Sequence, residues 1–476
     1  MFKNTILKNI FSLSLAEFAT KGSTFFLIAY IARVFDVEGF GVSSSIDAIL
    51  GYLGLLVALG FNPVGIRSIT QMPDEREKYV NNILSLRFVL AVLAYIALII
   101  YVLLINESIL MKTALLFGGL QLFATAIVLD WFYQGIERME IVGLRQFLIS
   151  IVKLIGALIF VKSPDDIPIY FLVFSVALII NNLWLIILYT KRYAKIKFQF
   201  IWSFWKELLK SSVLIGLTFL FTIVIGSFNV LYLINTSGEY ETGLFSAALR
   251  IFAFSMVPVL ILGNAFIPSI SKALTLEEKQ QATSKYFKLV TIFASLLLTT
   301  IFFYPEIFIL IVFGENFLVG VPILRIMIFA SFFAYYNSSI HHTLFAWRKE
   351  KSVSIVYATG AGLNILLNIF FINLWNGIGA AIASFGTEFF LMMLLLFLLK
   401  KDIKNLFIFD IGKLVALALI SGTLGILLLE LIKYYSSYWT IYFQFIGMFV
   451  SVSVLFSLIF KFKIVDLADI KKLFKK

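Results

Sequence analysis

The sequence contains no cysteine, which excludes disulfide bonds, thiolate chemistry and cysteine-based metal sites. It has only two histidines, the adjacent residues His341 and His342. Neighbouring side chains on a helix point in different directions, so we do not expect these two to share a metal ion. Charged residues make up only 14% of the chain, whereas roughly 25% is usual in soluble globular proteins. These deficits argue against a metalloprotein and against an ordinary soluble domain.

A nucleotide-binding loop is also missing. Residues 21–24, KGST, have the residue types of a phosphate loop, but in the wrong order and without the leading glycines. The hydrophilic connections are short, whereas membrane-embedded polysaccharide polymerases carry a long loop with clustered carboxylates. We therefore expect neither an enzyme nor a cofactor, and no ATP bound to this chain.

Long apolar runs are what the sequence has in abundance. Hydrophobic residues account for 61% of the chain, and phenylalanine alone contributes 52 residues. Runs of about 20 apolar residues are long enough to cross a bilayer, and they recur from one end to the other. The sequence predicts an all-α integral membrane protein with about fourteen transmembrane helices. The predicted spans are 10–32, 41–62, 83–105, 113–134, 145–161, 168–190, 211–235, 243–268, 287–312, 320–345, 352–373, 377–399, 411–432 and 438–460.

The distribution of basic residues predicts the orientation. The net charge is +12, which membrane proteins reach by collecting Lys and Arg in cytoplasmic loops, so we expect no nucleic-acid partner. With a cytoplasmic N-terminus, only four basic residues fall in connections on the opposite side: Arg33, Lys112, Lys162 and Lys433. Both termini are therefore predicted to be cytoplasmic. No cleavage signal follows the first apolar run, so we interpret it as a retained helix.

The two halves of the chain resemble each other. Similar motifs occur in the same order and at a spacing of about 204 to 211 residues. The pairs are EGFG at 38–41 with ETGLF at 241–245, FNP at 61–63 with FIP at 266–268, and GIER at 135–138 with AWRK at 346–349. A unit of six helices is thus repeated in the same orientation, as in parallel transporter repeats. We predict an N-lobe at 1–200, a C-lobe at 201–405, and two further helices with a basic tail at 406–476.

Charged residues inside predicted spans are candidate functional groups, because a charge in the membrane is costly and usually faces a cavity or a partner. Lys153, Arg250 and Arg325 have no opposite charge nearby in sequence and are typical of a cationic cavity lining. An alternative is mutual neutralisation, as for Glu17 and Lys21, which are spaced to pair on one helical face. The substrate-path candidates are Lys21, Lys153, Arg250 and Arg325; the proton- or cation-coupling candidates are Glu17, Asp47, Asp130 and Glu388; the hinge candidate is Pro258.

Several motifs resemble those of polysaccharide-export flippases of the Wzx type. Residues 130–139, DWFYQGIERM, resemble the end of the fourth helix of that family. Residues 243–250, GLFSAALR, resemble the start of its eighth helix. NILLN at 364–368 and GIGAAIA at 377–383 resemble its eleventh-to-twelfth helix hairpin. The resemblance covers essentially the whole chain.

This resemblance implies the multidrug/oligosaccharidyl-lipid/polysaccharide exporter fold, with two six-helix lobes around a central cavity and transport by alternating access. It implies a location in the bacterial inner membrane. The implied substrate is one oligosaccharide repeat unit on undecaprenyl pyrophosphate. The implied partners are membrane lipids, a polysaccharide polymerase and a chain-length regulator. Two alternatives stay open: a drug or cation antiporter of the same superfamily, generally with twelve helices, and a peptidoglycan-precursor flippase, with fourteen.

Overall fold

A computed structural model describes residues 2–273, 275–400, 403, 408–435 and 441–461, and the described residues contain helices and no strand. The first eight α-helices are α1 Phe2–Ala58, α2 Phe61–Gln71, α3 Arg76–Leu104, α4 Ile109–Gly119, α5 Gln121–Ala126, α6 Asp130–Gly135, α7 Met139–Phe160 and α8 Ile167–Arg192. The other eight are α9 Trp202–Ser255, α10 Val257–Lys272, α11 Leu276–Leu297, α12 Pro305–Val312, α13 Val321–Ala346, α14 Glu350–Leu399, α15 Ile408–Tyr435 and α16 Ile441–Lys461. A π-helical stretch, Leu298–Phe302, continues α11.

Within the described residues, ten helical stretches are long and apolar enough to cross a membrane, and Phe443–Ile459 is a shorter apolar helix. The chain is therefore a multi-pass membrane protein, as predicted. Three of the long helices contain a break where two helices meet, at Asp36 in α1, Gly238 in α9 and Trp375 to Asn376 in α14. Each break falls in a connection between two predicted spans. The total of fourteen spans stays a prediction.

The breaks at Asp36 and Gly238 have the same backbone conformation. Asp36 has φ 58° and ψ −172°, and Gly238 has φ 84° and ψ −177°. This region is ordinarily restricted to glycine, because a side chain is strained there. Asp36 is partly compensated locally, since its Oδ1 accepts a hydrogen bond from the Val37 amide at 2.8 Å. The two breaks lie at corresponding places in the predicted repeat, just before EGFG and ETGLF.

A second pair of features supports the repeat at a spacing of 211 residues. Glu137 and Arg348 both have positive φ, 61° and 58°. The amide of Arg138 donates to the Tyr133 carbonyl at 2.8 Å, and the amide of Lys349 donates to the Leu344 carbonyl at 3.0 Å. This left-handed residue followed by a long backward hydrogen bond is the Schellman helix terminus. The two halves thus end α6 and α13 in the same way.

The chain divides into two compact units, unit 1 (Met1–Ile234) and unit 2 (Asn235–Lys476). The core of unit 1 surrounds Trp131, which is fully buried, and includes Trp205 and Leu208 from the start of α9. In unit 2, the Tyr304 hydroxyl lies 2.7 Å from the Ser451 hydroxyl of α16, so the described part of the C-terminal helix pair packs within that unit. Because the division falls inside α9, the lobe boundaries at 200 and 405 stay a prediction.

Candidate transport and ion-coupling sites

A largely buried ion pair lies in unit 1. Asp130 is the first residue of α6, and Arg145 lies on α7. Their Oδ2 and Nη2 atoms are 2.5 Å apart, with side-chain exposures of 15% and 10%. The same guanidinium donates to the Oδ1 atoms of Asn181 and Asn182 on α8, at 3.1 and 3.0 Å. This network neutralises the Asp130 carboxylate and ties α6, α7 and α8 together, so it can act as a rigid polar core.

Lys153 lies two turns further along α7. Its Nζ is 4.8 Å from the centre of the Phe174 ring, within the range of a cation–π interaction. It also interacts electrostatically with Asp47 of α1. The sequence does not show this opposite charge beside Lys153, because Asp47 lies on a different helix. Lys153 was a substrate-path candidate and Asp47 a coupling candidate, and the two side chains interact. Both roles stay predictions.

Arg87 is a further basic residue in unit 1, and it is fully buried. Its Nη2 donates to Asn62 Oδ1 at 2.7 Å, and the guanidinium lies 5.6 Å from the centre of the Phe61 ring. Among the residues that the structure describes, its Nε and Nη1 have no hydrogen-bond partner. A buried cation held by an amide and a ring is unusual. The contact with Asn62 fixes α2 against α3.

Glu388, a candidate carboxylate in unit 2, has different surroundings from Asp130. Glu388 lies in the second half of α14 and is partly exposed. Asn337 of α13 donates its Nδ2 to Glu388 Oε2 at 2.7 Å and to the Glu388 carbonyl at 2.8 Å. Tyr357, in the first half of α14, interacts electrostatically with Glu388. Among the described residues, no Lys or Arg lies within ion-pairing distance of this carboxylate.

The adjacent histidines face different helices. His341 Nδ1 lies 3.4 Å from the Tyr357 hydroxyl of α14. His342 Nδ1 lies 2.9 Å from the Tyr286 hydroxyl of α11, and its ring packs directly on Gly263 of α10. His341 instead belongs to the polar cluster around Glu388.

The remaining basic candidates have varied surroundings. Arg325 Nη2 pairs with Glu306 Oε1 at 2.9 Å, and both side chains are partly exposed. The sequence shows no opposite charge close to Arg325, because Glu306 lies 19 residues away on another helix. Arg250 is partly buried in α9, and Lys21 is exposed in α1. The side chain of Glu17 lies outside the described residues, so its predicted pairing with Lys21 stays a prediction.

Pro258 was expected to bend a continuous helix. It lies instead at the second position of α10, just after α9 ends at Ser255. Proline is well tolerated at such a start because the amide it lacks has no intrahelical partner there. Pro268, by contrast, lies inside α10. The helical path is interrupted at Met256, between α9 and α10. A hinge role for Pro258 stays a prediction.

Sequence reasoning missed several members of these clusters: Arg87, Arg145, the pair Asn181 and Asn182, and the Glu388 neighbours Asn337 and Tyr357. Arg87 and Arg145 lie near the beginnings of predicted spans 83–105 and 145–161, where a basic residue is readily assigned to the preceding loop. The available signal was a basic residue inside an apolar run. Asn181 and Asn182 lie in the middle of span 168–190, where consecutive amides indicate a buried polar contact.

Residues 6–274 match the sequence model of the family described as "Polysaccharide biosynthesis protein". The chain belongs to that family. The protein described as "Putative O-antigen transporter" from Shigella dysenteriae is 24% identical over 414 residues, covering 83% of this chain and 99% of the relative. The resemblance of this chain to a polysaccharide-export family is thereby confirmed.

Solved structures identify the same fold. The lipid II flippase MurJ, in an inward closed conformation, has a TM-score of 0.71 and 18% identity, covering 94% of this chain and 98% of that chain. An inward-facing multidrug resistance MATE family transporter of the MOP superfamily has a TM-score of 0.59 and 14% identity, covering 79% of this chain and 94% of that chain. The predicted all-α fold of this superfamily is confirmed.

Proposed function

We propose that this protein is a flippase that translocates oligosaccharide repeat units linked to undecaprenyl pyrophosphate, by alternating access, for the synthesis of a surface polysaccharide. The observation that carries the proposal is membership of the polysaccharide biosynthesis family together with the near full-length match to the Shigella protein. The physical task fits a multi-pass fold. Sugars and pyrophosphate cannot enter hydrocarbon unaided, so they need a hydrated path through protein. Transport, and not catalysis, is the proposed activity.

The proposed path is lined by the cationic candidates. Arg is well suited to an anionic pyrophosphate because its guanidinium forms paired, charge-assisted hydrogen bonds. Arg250 and Arg325 lie in unit 2, and Lys21 and Lys153 lie in unit 1. In this proposal the N-lobe and the C-lobe rock against each other, and the basic groups engage the pyrophosphate at successive stages. A polysaccharide polymerase and a chain-length regulator are the proposed protein partners.

The proposed location is the bacterial inner membrane, with both termini in the cytoplasm. This orientation follows from the strong bias of Lys and Arg to one side. A periplasm-dependent alkaline phosphatase fused after Lys476 should be inactive, and a fluorescent protein at the same place should fluoresce. High phosphatase activity with a dark fluorescent fusion would reverse the proposed orientation.

Export in cells tests the proposed function. The chain should restore surface polysaccharide in a strain that lacks its own repeat-unit flippase but retains the glycosyltransferases. An R250Q/R325Q double variant should be inserted at normal levels and export much less, whereas E306Q, which retains the Arg325 charge, should export more than the double variant. If R325Q and E306Q are equally impaired and E306Q/R325Q recovers, the pair is structural and the cationic path is wrong.

Two results would replace the proposal with one of the alternatives. Rescue of a strain lacking its peptidoglycan-precursor flippase, without rescue of surface polysaccharide, would identify the other lipid-linked substrate. Resistance to cationic drugs, again without restored polysaccharide, would identify an antiporter. Both assays use the same expressed chain, so protein levels can be compared directly.

A further inference from the structure

The two repeats carry polar clusters at corresponding positions, but with different charges. Asp130 and His341 each lie seven residues before the left-handed residue that ends the helix, Glu137 or Arg348. The next helix supplies a partner to each: Arg145 pairs with Asp130, and Tyr357 contacts His341. The clusters therefore occupy corresponding positions in the predicted repeat and differ in their ionisable groups.

In unit 1 the charges cancel within the protein. Arg145 neutralises Asp130 at 2.5 Å, and Asn181 and Asn182 occupy further donors of the guanidinium. Removing or adding a proton there would leave a buried charge without its counterpart, which is costly. This cluster is suited to holding helices together and is unsuited to exchanging a proton during transport.

In the part of unit 2 that the structure describes, the carboxylate of Glu388 has no such counterpart. Its Oε2 accepts one hydrogen bond, from Asn337 Nδ2. The titratable groups around it in the described part of unit 2 are Tyr357, which interacts with it electrostatically from the first half of α14, and His341 on α13, whose Nδ1 lies 3.4 Å from the Tyr357 hydroxyl. His342 faces away, toward Tyr286. A carboxylate within a membrane span and without a cation is most readily neutralised by taking up a proton.

We infer that Glu388 is a proton-binding site through which proton movement is coupled to transport. The coupling part of this inference rests on the proposed flippase function, whereas proton binding does not. In the binding step the Glu388 carboxylate takes up one proton from the aqueous medium and becomes a neutral carboxylic acid. In the release step the same proton returns to the medium and the carboxylate is restored.

A proton fits this site better than a metal cation. Hard cations are held by several oxygen ligands at once. The neighbours of Glu388 offer one amide oxygen, on Asn337, and one phenol oxygen, on Tyr357. No group of three or more His, Asp and Glu side chains among the described residues could hold a metal ion. A proton needs only one carboxylate oxygen.

Protonation would also change a contact between helices. Asn337 joins α13 to α14 through two acceptors, the Glu388 carboxylate and the Glu388 carbonyl. Hydrogen bonds to an ionised acceptor are roughly twice as strong as neutral ones. Proton uptake therefore weakens one of the two bonds and leaves the other intact. This gives proton binding a direct mechanical consequence within unit 2.

Labelling with dicyclohexylcarbodiimide tests proton binding in the unmodified full-length protein, because this reagent forms a stable adduct with protonated carboxyl groups in apolar surroundings. Peptide mass spectrometry should find the adduct on Glu388 and not on Asp130, whose carboxylate is paired with Arg145. Above the midpoint, labelling should fall about tenfold per pH unit as the protonated fraction falls. Adding sodium at constant pH should have no effect.

Absence of the adduct on Glu388 at every pH, labelling that does not change with pH, or protection by sodium at fixed pH would each overturn the proton site. The export assay then tests coupling. E388Q, which keeps an acceptor for Asn337, should lose export at normal protein levels, and E388D should retain part of it. Normal export by E388Q would overturn coupling even if Glu388 is labelled. Failure of the wild-type chain to export would overturn the proposed function and leave the labelling result standing.

Discussion

Replacing Arg145 with glutamine should strongly reduce the amount of folded protein. The substitution leaves the Asp130 carboxylate buried at 15% exposure without its cation. Removing one partner of a buried ion pair typically costs about 3–5 kcal/mol, which is a large part of the roughly 5–15 kcal/mol that stabilises a typical domain. The loss should appear as a lower unfolding temperature in detergent. Because the chain has no cysteine and seven tryptophans, intrinsic tryptophan fluorescence is the suitable probe.

Two variants serve as controls for Arg145→Gln. Arg138→Gln removes a cation that pairs with Glu140 at 3.0 Å, where both side chains are about half exposed. Such surface pairs contribute only about 0–1 kcal/mol, so this variant should unfold near the wild-type temperature. The D130N/R145Q double variant removes both charges and should recover much of the loss. A stable R145Q single variant would contradict the role assigned to the pair.

The gross fold followed from apolar runs, because the bilayer sets a span length that a sequence displays directly. The breaks at Asp36, Gly238 and Asn376 fall in predicted connections for the same reason. The repeat was also visible, since GIER and AWRK end their helices with the same backbone motif. Span 113–134, however, is divided into α4, α5 and α6. No proline marks these divisions. The Gly118-Gly119 pair at the end of α4 is the one turn signal that the sequence offers there.

Partners within the candidate sites were much harder to predict. Glu306 pairs with Arg325 from a different helix, and Asp47 lies near Lys153 although more than one hundred residues separate them. Helical periodicity gives the face on which a side chain lies, but tertiary packing decides what that face meets. Glu388 was selected because it lies inside an apolar run, and its role in coupling stays a prediction. The hydrogen bonds from Asn337 to Glu388 could not be inferred, because the sequence does not show which α13 residue packs against Glu388.

Substituting Gly379 with alanine should have an effect comparable to that of breaking the ion pair, through sterics alone. Gly379 is buried in the second half of α14, three residues after the break at Asn376. An added Cβ would overlap the carbonyl group of Phe371, in the first half of the same helix. Overpacking usually costs about 1–3 kcal/mol. We expect a cost near the upper end of this range, because the added Cβ would meet backbone atoms of Phe371, which cannot move aside as a flexible side chain can.

Gly362→Ala is the matched control, because Gly362 lies on the same helix and nothing lies within 4 Å of an added Cβ. Alanine is favoured over glycine in a helix interior by roughly 0.5–1 kcal/mol, so this variant should unfold at or slightly above the wild-type temperature. The contrast separates close approach of the two halves of α14 from a general effect of helix propensity. Equal unfolding temperatures for G379A and G362A would mean that the two halves do not approach each other closely in the membrane.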